Sequence, residues 1–225
     1  MTCATSIEVA GSTLQLHTGR AIVWPERSTL LIADLHLGKE HTFGRQGVAI
    51  PGGPSQQTLD RLTTLIADTR PERLIVLGDL MHAIPHRHES WLGALSRFLD
   101  QHKGLDIHVC AGNHDRTDGQ IRVDARVQWH SEPIIESPFV LQHHPGDDER
   151  GYVLSGHVHP VLRIARRRGE SLRAPAFWFR HRHAVLPAFG SFTGGHAITP
   201  SPRDRVWVSG PSRVIRVPAP AANTA

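Results

Sequence analysis

Apolar and polar positions alternate in two different regimes along the chain. In the first half, short apolar runs are separated by amphipathic stretches of helical period. "STLQLH" (12–17) and "RAIVW" (20–24) flank a Thr-Gly turn and predict a β-hairpin. The run at 29–33 predicts a buried strand, and 38–54 reads as a long loop rich in Gly and Pro. From Ser55, a residue type suited to a helix N-cap, Leu59, Leu62, Leu65 and Ile66 recur at helical spacing and predict a helix over 55–69. "RLIVLGDL" (73–80) predicts a second strand. Trp91, Leu92, Leu95, Phe98 and Leu99 give 89–102 the apolar face of a second helix. "LDIHVCAGNHD" (105–115) predicts a third strand ending in polar residues.

After residue 126 the pattern shortens. "RVQWH", "PFVLQHH", "YVLSGHVH", "VLRIARR", "APAFWF", "HAVLPAFG", "RVWVSG" and "RVIRV" read as strands divided by turn residues. Strand–helix units followed by strands, with no internal repeat, predict an α/β protein of two sheets packed face to face with helices outside. Residues 1–217 fit one domain, and "PAPAANTA" at 218–225 is expected to be a disordered tail.

Composition narrows this picture modestly. With 225 residues, 39% apolar and 20% charged, the chain has enough material for a real core. Its formal net charge is +4, and lysine occurs only at Lys39 and Lys103, so the basic character is almost all arginine. Arginine suits bidentate phosphate contacts, although a GC-rich genome accounts for the same bias. Cys3 and Cys110 offer no disulfide framework and no zinc-type pair. The N-terminus lacks the pattern of a signal peptide, and no apolar run is long enough to span a bilayer. A cytoplasmic protein without membrane contact is the expectation.

There are 17 histidines, and their placement changes the reading. The run Leu30 to Ala33 ends in Asp34 and His36, which point the same way on an extended chain. Buried carboxylates are costly unless a cation compensates them. One Asp-x-His is common and decides nothing. Yet the apolar runs end in the same manner at "GD" (78–79), "GNHD" (112–115), "HH" (143–144) and "GHVH" (156–159). Five strand ends of Asp, Asn and His point to a metal site. Such mixed ligands suit Mn, Fe or Zn better than Mg or Ca.

The order D-x-H, G-D, G-N-H-D, H, G-H-x-H resembles the signature of the calcineurin-like metallophosphoesterases over residues 29 to 159. "LLIADLHLGKEHTFGRQGVAIP" and "VLPAFGSFTGG" are similar, more narrowly, to the PdeM group of bacterial ligase-associated DNA damage response endonucleases. The resemblance implies a four-layer α/β/β/α sandwich with two metal ions, most readily Mn2+. Asp34, His36 and His159 would hold one ion; Asn113, His143 and His157 the other; Asp79 would bridge. His114 would act as acid or electrostatic residue at the leaving group, oriented by Asp115. His143 takes the ligand position of the family, and His144 would contact substrate or solvent. The implied activity is phosphodiester hydrolysis on DNA in bacterial repair. An ATP-dependent DNA ligase, an Lhr-type helicase and an exonuclease would be companions.

Around this constellation the sequence offers weaker signals. Lys39 and Arg45 follow His36 closely and can bind substrate phosphate or remain solvated. Phe43 can stack on a base or anchor its loop. His82 can contact substrate, whereas His86 and His88 read as surface residues. Arg163, Arg166, Arg167, Arg168, Arg173, Arg180 and Arg182 surround a hairpin tip and can form a DNA-backbone stripe. "LPAFGSFTGG" is expected to close the second sheet, and Cys110 to be a small buried hydrophobe. Two other functions compete: a phosphoesterase for a small nucleotide or nucleotide-lipid diphosphate, and a metal-bound scaffold for repair partners. The scaffold would be expected to have lost ligands, and none is missing.

Overall fold

The computed structural model describes residues 3–48, 50, 53–86, 88–115, 123–131, 133–165 and 171–219. Strands β1 (Ala4–Val9), β2 (Ser12–His17), β3 (Ala21–Trp24) and β4 (Thr29–Ile32) form an antiparallel meander. The expected hairpin is thus extended by β1, whose Ile7 and Val9 alternate into the core. From β4 the sheet turns parallel, through β5 (Arg73–Leu77), β6 (Asp106–Cys110) and β7 (Val127–His130). Parallel pairing requires crossovers, and two of them carry helices: α2 (Pro54–Thr69) and α3 (Ser90–Gln101).

The parallel strands are buried on both faces, which explains why their sequences are near-continuous apolar runs. Leu30, Ile32, Leu74, Val76, Ile107 and Val109 pack with Leu59, Leu62 and Leu65 of α2 and Trp91, Leu95 and Phe98 of α3. Leu31, Ile75, Leu77 and Cys110 face the other way, onto Phe139, Leu141, Leu154, Phe177 and Phe179 of the second sheet.

That second sheet contains β8 (Ile134–Glu136), β9 (Phe139–Leu141), β10 (Tyr152–Ser155), β11 (Pro160–Ala165), β12 (Ser171–Phe179), β13 (His183–Val185) and β14 (His196–Ala197), in the order β14-β11-β12-β13-β10-β9-β8. β15 (Arg205–Ser209) pairs with the later part of β12, and β16 (Val214–Val217) pairs with β15. On the outer face of this sheet Ile198 packs with Ala174, Ala176, Val206 and Val208. Among the described residues the three α-helices all precede β6, so no helix covers this face.

Three local expectations change. The stretch after His36 is not all loop: α1 (Lys39–Arg45) begins directly beyond Gly38. Ser55 is not an N-cap, because Gly53 holds that place and Pro54 opens α2. Instead the Ser55 hydroxyl accepts from the Gly38 N–H and donates to Glu40, each at 2.9 Å, and so ties α2 to α1. The segment beginning at Leu186 does not simply close the second sheet. Leu186 N–H donates to Ser155, then Phe189 and Gly190 donate to Ala33 and Asp34, which carries the chain across to the first sheet. Residues 220–225 of the expected tail lie outside the described residues.

Candidate metal centre

The C-terminal ends of β4, β5, β6, β9 and β10 meet at one edge of the two sheets. Past these ends the backbone is bent sharply. Asp34, His36, Asp79, His157 and His159 all have left-handed φ, between 50° and 72°. Such values are uncommon for residues with a Cβ, and they persist only where the surroundings enforce them. Here hydrogen bonds do so. Asp34 N–H donates to Gly78 O at 3.1 Å, His36 N–H to Asp79 O at 2.9 Å, and His157 N–H to the Asp34 carboxylate at 3.0 Å. Strand ends from both sheets are thereby stapled together.

Two glycines explain part of the motif spelling. Gly78 has φ of +83°, and a Cβ there would run into the His143 ring. A Cβ on Gly112 would strike the Asp79 carboxylate and backbone.

Besides the group His36, His82 and His114, two groups of potential ligand atoms meet at Asp79. In the first, Asp34, His36, Asp79 and His159 bring one atom each within 4.8 Å of one another. His36 Nε2 lies 3.2 Å from His159 Nε2, and His159 Nε2 lies 3.5 Å from Asp34 Oδ1. In the second, His143, His144 and His157 cluster within the same limit. His143 Nε2 lies 3.0 Å from Asn113 Oδ1 and 3.1 Å from His157 Nδ1. Asp79 Oδ2 sits between the groups, 3.7 Å from His36 Nε2 and 3.5 Å from His143 Nε2. The clustered imidazoles and carboxylates can bind metal.

Electrostatics favour a cation. Asp34 and Asp79 are 0% and 2% exposed. Their ion-pair partners among the described residues are imidazoles alone, with no lysine or arginine. Burial raises the Asp79 pKa to about 6, opposed by the N–H of His114 and reinforced by nearby Asp34. Burial also drives His36 down to about 2, with His159 and other neighbouring imidazoles adding to it. His143 and His157 are lowered for the same first reason. Imidazoles, two of them buried, beside buried carboxylates that lack a lysine or arginine partner form a donor set that fits a divalent transition ion.

No protein-family profile matches the chain, and no curated protein matches it. Among solved structures it is similar to the Pseudomonas putida nuclease MPE, at 38% identity over 95% of this chain and 100% of that one, with a TM-score of 0.81. The chain is a calcineurin-like metallophosphoesterase. Within that family it resembles the PdeM-like nucleases, and its activity class is that of a phosphoester hydrolase. The YfcE phosphoesterase from E. coli is a more distant likeness, at 13% identity over 85% of this chain and 99% of that one, with a TM-score of 0.43.

Other residues expected in this metallophosphoesterase's site fall in different places. His114 lies beside the centre, its ring 4.9 Å from that of His36. Its backbone N–H donates to Asp79 Oδ1 at 3.0 Å. Its Nδ1 lies 2.7 Å from the His82 carbonyl oxygen, which can only accept, so Nδ1 carries the hydrogen. Asp115 does not orient this ring. Its buried carboxylate accepts the backbone N–H groups of Met81, Gly112 and Leu80 at 2.9, 3.0 and 3.3 Å, and so fastens the two loops to each other. Sequence offers no sign of that role, because its partners are backbone atoms.

His82 contributes more than a side chain at the rim. Its Nδ1 lies 3.4 Å from His36 Nδ1, and its ring stacks on His114 at 4.9 Å. His143 is buried and tied into the centre; His144 is exposed, with its ring 4.4 Å from His157. Lys39 holds its ammonium 5.8 Å from the Phe43 ring and 5.9 Å from Phe192, and the Phe43 ring lies 6.3 Å from that of His82. Arg45 differs from the expectation. It pairs with Glu89 and lines a separate cavity of about 640 Å³ with His41, Trp91 and Arg97. Arg166, Arg167 and Arg168 of the arginine stripe lie outside the described residues. No described helix is long and apolar enough to cross a membrane.

Proposed function

We propose that this chain is a dinuclear-metal-dependent phosphodiesterase that cleaves DNA in repair. The observation that carries the reading is the Asp79 carboxylate, whose Oδ2 lies 3.7 Å from His36 Nε2 of one ligand group and 3.5 Å from His143 Nε2 of the other. The likeness to a nuclease supports a nucleic-acid substrate. Asp34, His36 and His159 would hold one ion, and Asn113, His143 and His157 the other. Two divalent ions, with Mn2+ preferred, would supply Lewis acidity there, for activating a water and for neutralising charge on the phosphoryl oxygens.

The protein's own groups provide the rest. Asp79 sets the spacing of the two groups, and its Oδ1 is held by the His114 N–H. His82, through its carbonyl oxygen, fixes the His114 ring. Nε2 of His114 is then the nitrogen free to exchange a proton with the leaving oxygen. Lys39 offers a positive charge at the rim for the phosphate, and His144 flanks the opposite side.

The test uses metal-free protein reloaded with Mn2+, assayed on bis-p-nitrophenyl phosphate and on a DNA oligomer. Both substrates should be cleaved, and chelation should abolish both activities. Full activity after chelation would end the proposal. Cleavage of monoesters alone would end the diesterase reading. Hydrolysis of the small diester with no action on the oligomer would favour a small-nucleotide phosphoesterase.

A further inference from the structure

The β11–β12 hairpin begins directly after His159 and carries an unusual pairing. Arg163 and Arg173 are direct partners across the two antiparallel strands. Like charges placed directly opposite destabilise a sheet. Both side chains are exposed, and neither is matched to a carboxylate among the described residues. The Arg173 guanidinium donates to the neutral Gly195 carbonyl, and no carboxylate among the described residues pairs with it.

Register shows where this pair sits. Trp178 of β12 lies opposite Val185, and Val185 lies beside Ser155 of β10, just before the Gly156-His157 turn. β12 runs antiparallel to β13, so residues earlier than Trp178 lie beyond the strand ends that carry the metal centre. Arg173 is five positions earlier, roughly 16 Å along an extended strand. β11 starts at Pro160, directly after His159, and climbs in step with β12. The hairpin is therefore a wall rising beside the His159 edge of the centre.

The two faces of the wall differ. Ile164 and Leu172 are partners and continue the outer apolar face with Leu162 and Ala174. Arg163 and Arg173 alternate with them, in line with Val161, Pro175 and then Phe177, which lies in the core between the sheets. Arg173 is further tethered near the centre, because His196, next to Gly195, donates to the His159 carbonyl.

We propose that Arg163 and Arg173 form a clamp for the phosphate backbone of the DNA strand, beyond the cleaved phosphate on the His159 side of the centre. This rests on the nucleic-acid reading above. A phosphate between two guanidiniums removes the repulsion that the empty pair suffers, and Arg presents bidentate donors to it. Small diesters are too short to reach the pair.

The test compares parent, Arg163→Gln/Arg173→Gln and Arg163→Glu, all Mn-loaded. Readouts are cleavage of a DNA oligomer and of bis-p-nitrophenyl phosphate, oligomer affinity against salt, and Tm. The double variant should lose roughly tenfold or more in oligomer kcat/KM. Its log-affinity against log-salt slope should flatten by about 1.4, as for two contacts to a single strand. Turnover of the small diester should stay within about twofold of the parent. Tm should be unchanged or higher, because the repulsion is gone. Arg163→Glu places opposite charges across the strands, so it should raise Tm and weaken oligomer binding about as much as the double variant, since both remove two units of positive charge.

Parental cleavage, affinity and salt slope in the double variant would overturn the clamp while leaving the nuclease reading intact. A fall in Tm with equal loss on both substrates would also overturn it, in favour of a structural role. A parent that hydrolyses the small diester but neither binds nor cleaves the oligomer at low salt would overturn the nucleic-acid reading, and the clamp with it.

Discussion

The ring of His114 is fixed by the carbonyl oxygen of His82, 2.7 Å from its Nδ1. This bond joins the loop after β5 to the loop after β6, and it commits one nitrogen of the imidazole. Proton exchange with a substrate is left to Nε2. His114→Ala should then lower kcat on bis-p-nitrophenyl phosphate by about 10²- to 10⁴-fold, the range for a positioned general acid. Bound metal should remain nearly stoichiometric, because His114 is not assigned as a ligand. Metal analysis of the variant checks this directly; loss of both ions would show that His114 coordinates.

Asp79 has the opposite signature. Its Oδ2 is within 3.7 Å of nitrogen atoms from both ligand groups. Asp79→Asn keeps the shape but removes the charge, so both ions should bind more weakly, by more than roughly 100-fold. Calorimetric titration with Mn2+ should show two weakened sites. One intact site and one weakened site would mean that Asp79 serves a single ion.

Asp115 is a matter of stability rather than catalysis. Its carboxylate is 7% exposed and receives three backbone N–H groups. Asp115→Ala leaves those donors unpaired and should cost on the order of 3 kcal/mol. Burial, outweighing the hydrogen bonds, raises its pKa to about 6. The folded state therefore holds this proton more tightly than the unfolded chain. That contribution is fully present below about pH 4 and is lost as pH rises through about 6. In metal-free protein, Asp115→Asn should flatten the fall in Tm over this window. A pH profile parallel to the parent's would assign the titration elsewhere.

Much of the cluster was legible because carboxylates and imidazoles rarely end a buried strand. Asp34, Asp79 and His143 stand out against the apolar runs before them, and Gly78 and Gly112 mark where the chain passes too close for a side chain. What remained hidden depends on partners distant in sequence or on backbone atoms. Arg45 looked like a rim cation until Glu89, 44 positions away, appeared beside it. Asp115 carries no trace of its backbone donors. Helix α1 was concealed by its flanking glycines, Gly38 and Gly47, and by the internal Gly44, all of which read as loop punctuation. The second sheet's strands were visible apart from the short β8 and β14, but their order was not, since β12 divides its length among β11, β13 and β15.

Gly78 tests whether the glycines serve the site or the fold. Its left-handed backbone alone makes alanine unfavourable by roughly 1–2 kcal/mol. The new methyl also meets the His143 ring. Gly78→Ala should fold with lowered Tm and lose affinity at the ion held by Asn113, His143 and His157 before that at the other. Equal weakening of both sites would indicate a general distortion of the strand ends.

Lys39 and Arg45 lie six residues apart on one short helix, and the structure predicts opposite outcomes for them. Lys39 is half-buried, and burial lowers its pKa. Its ammonium rests between Phe43 and Phe192, and Phe43 in turn faces His82 beside the centre. A charge at that place acts on any phosphoester held by the ions, long or short. Lys39→Met, which keeps the side-chain length, should reduce kcat/KM for both the DNA oligomer and bis-p-nitrophenyl phosphate by about tenfold. That corresponds to one charge-assisted contact of about 1.4 kcal/mol. Arg45 is already paired with Glu89 and borders the separate cavity between α1 and α3. Arg45→Met should leave the small diester unaffected and change the oligomer by less than about twofold. Parallel kinetics on the two variants decide the matter: equal losses would return Arg45 to the substrate's path, and an unaffected Lys39 variant would leave the rim without its proposed cation.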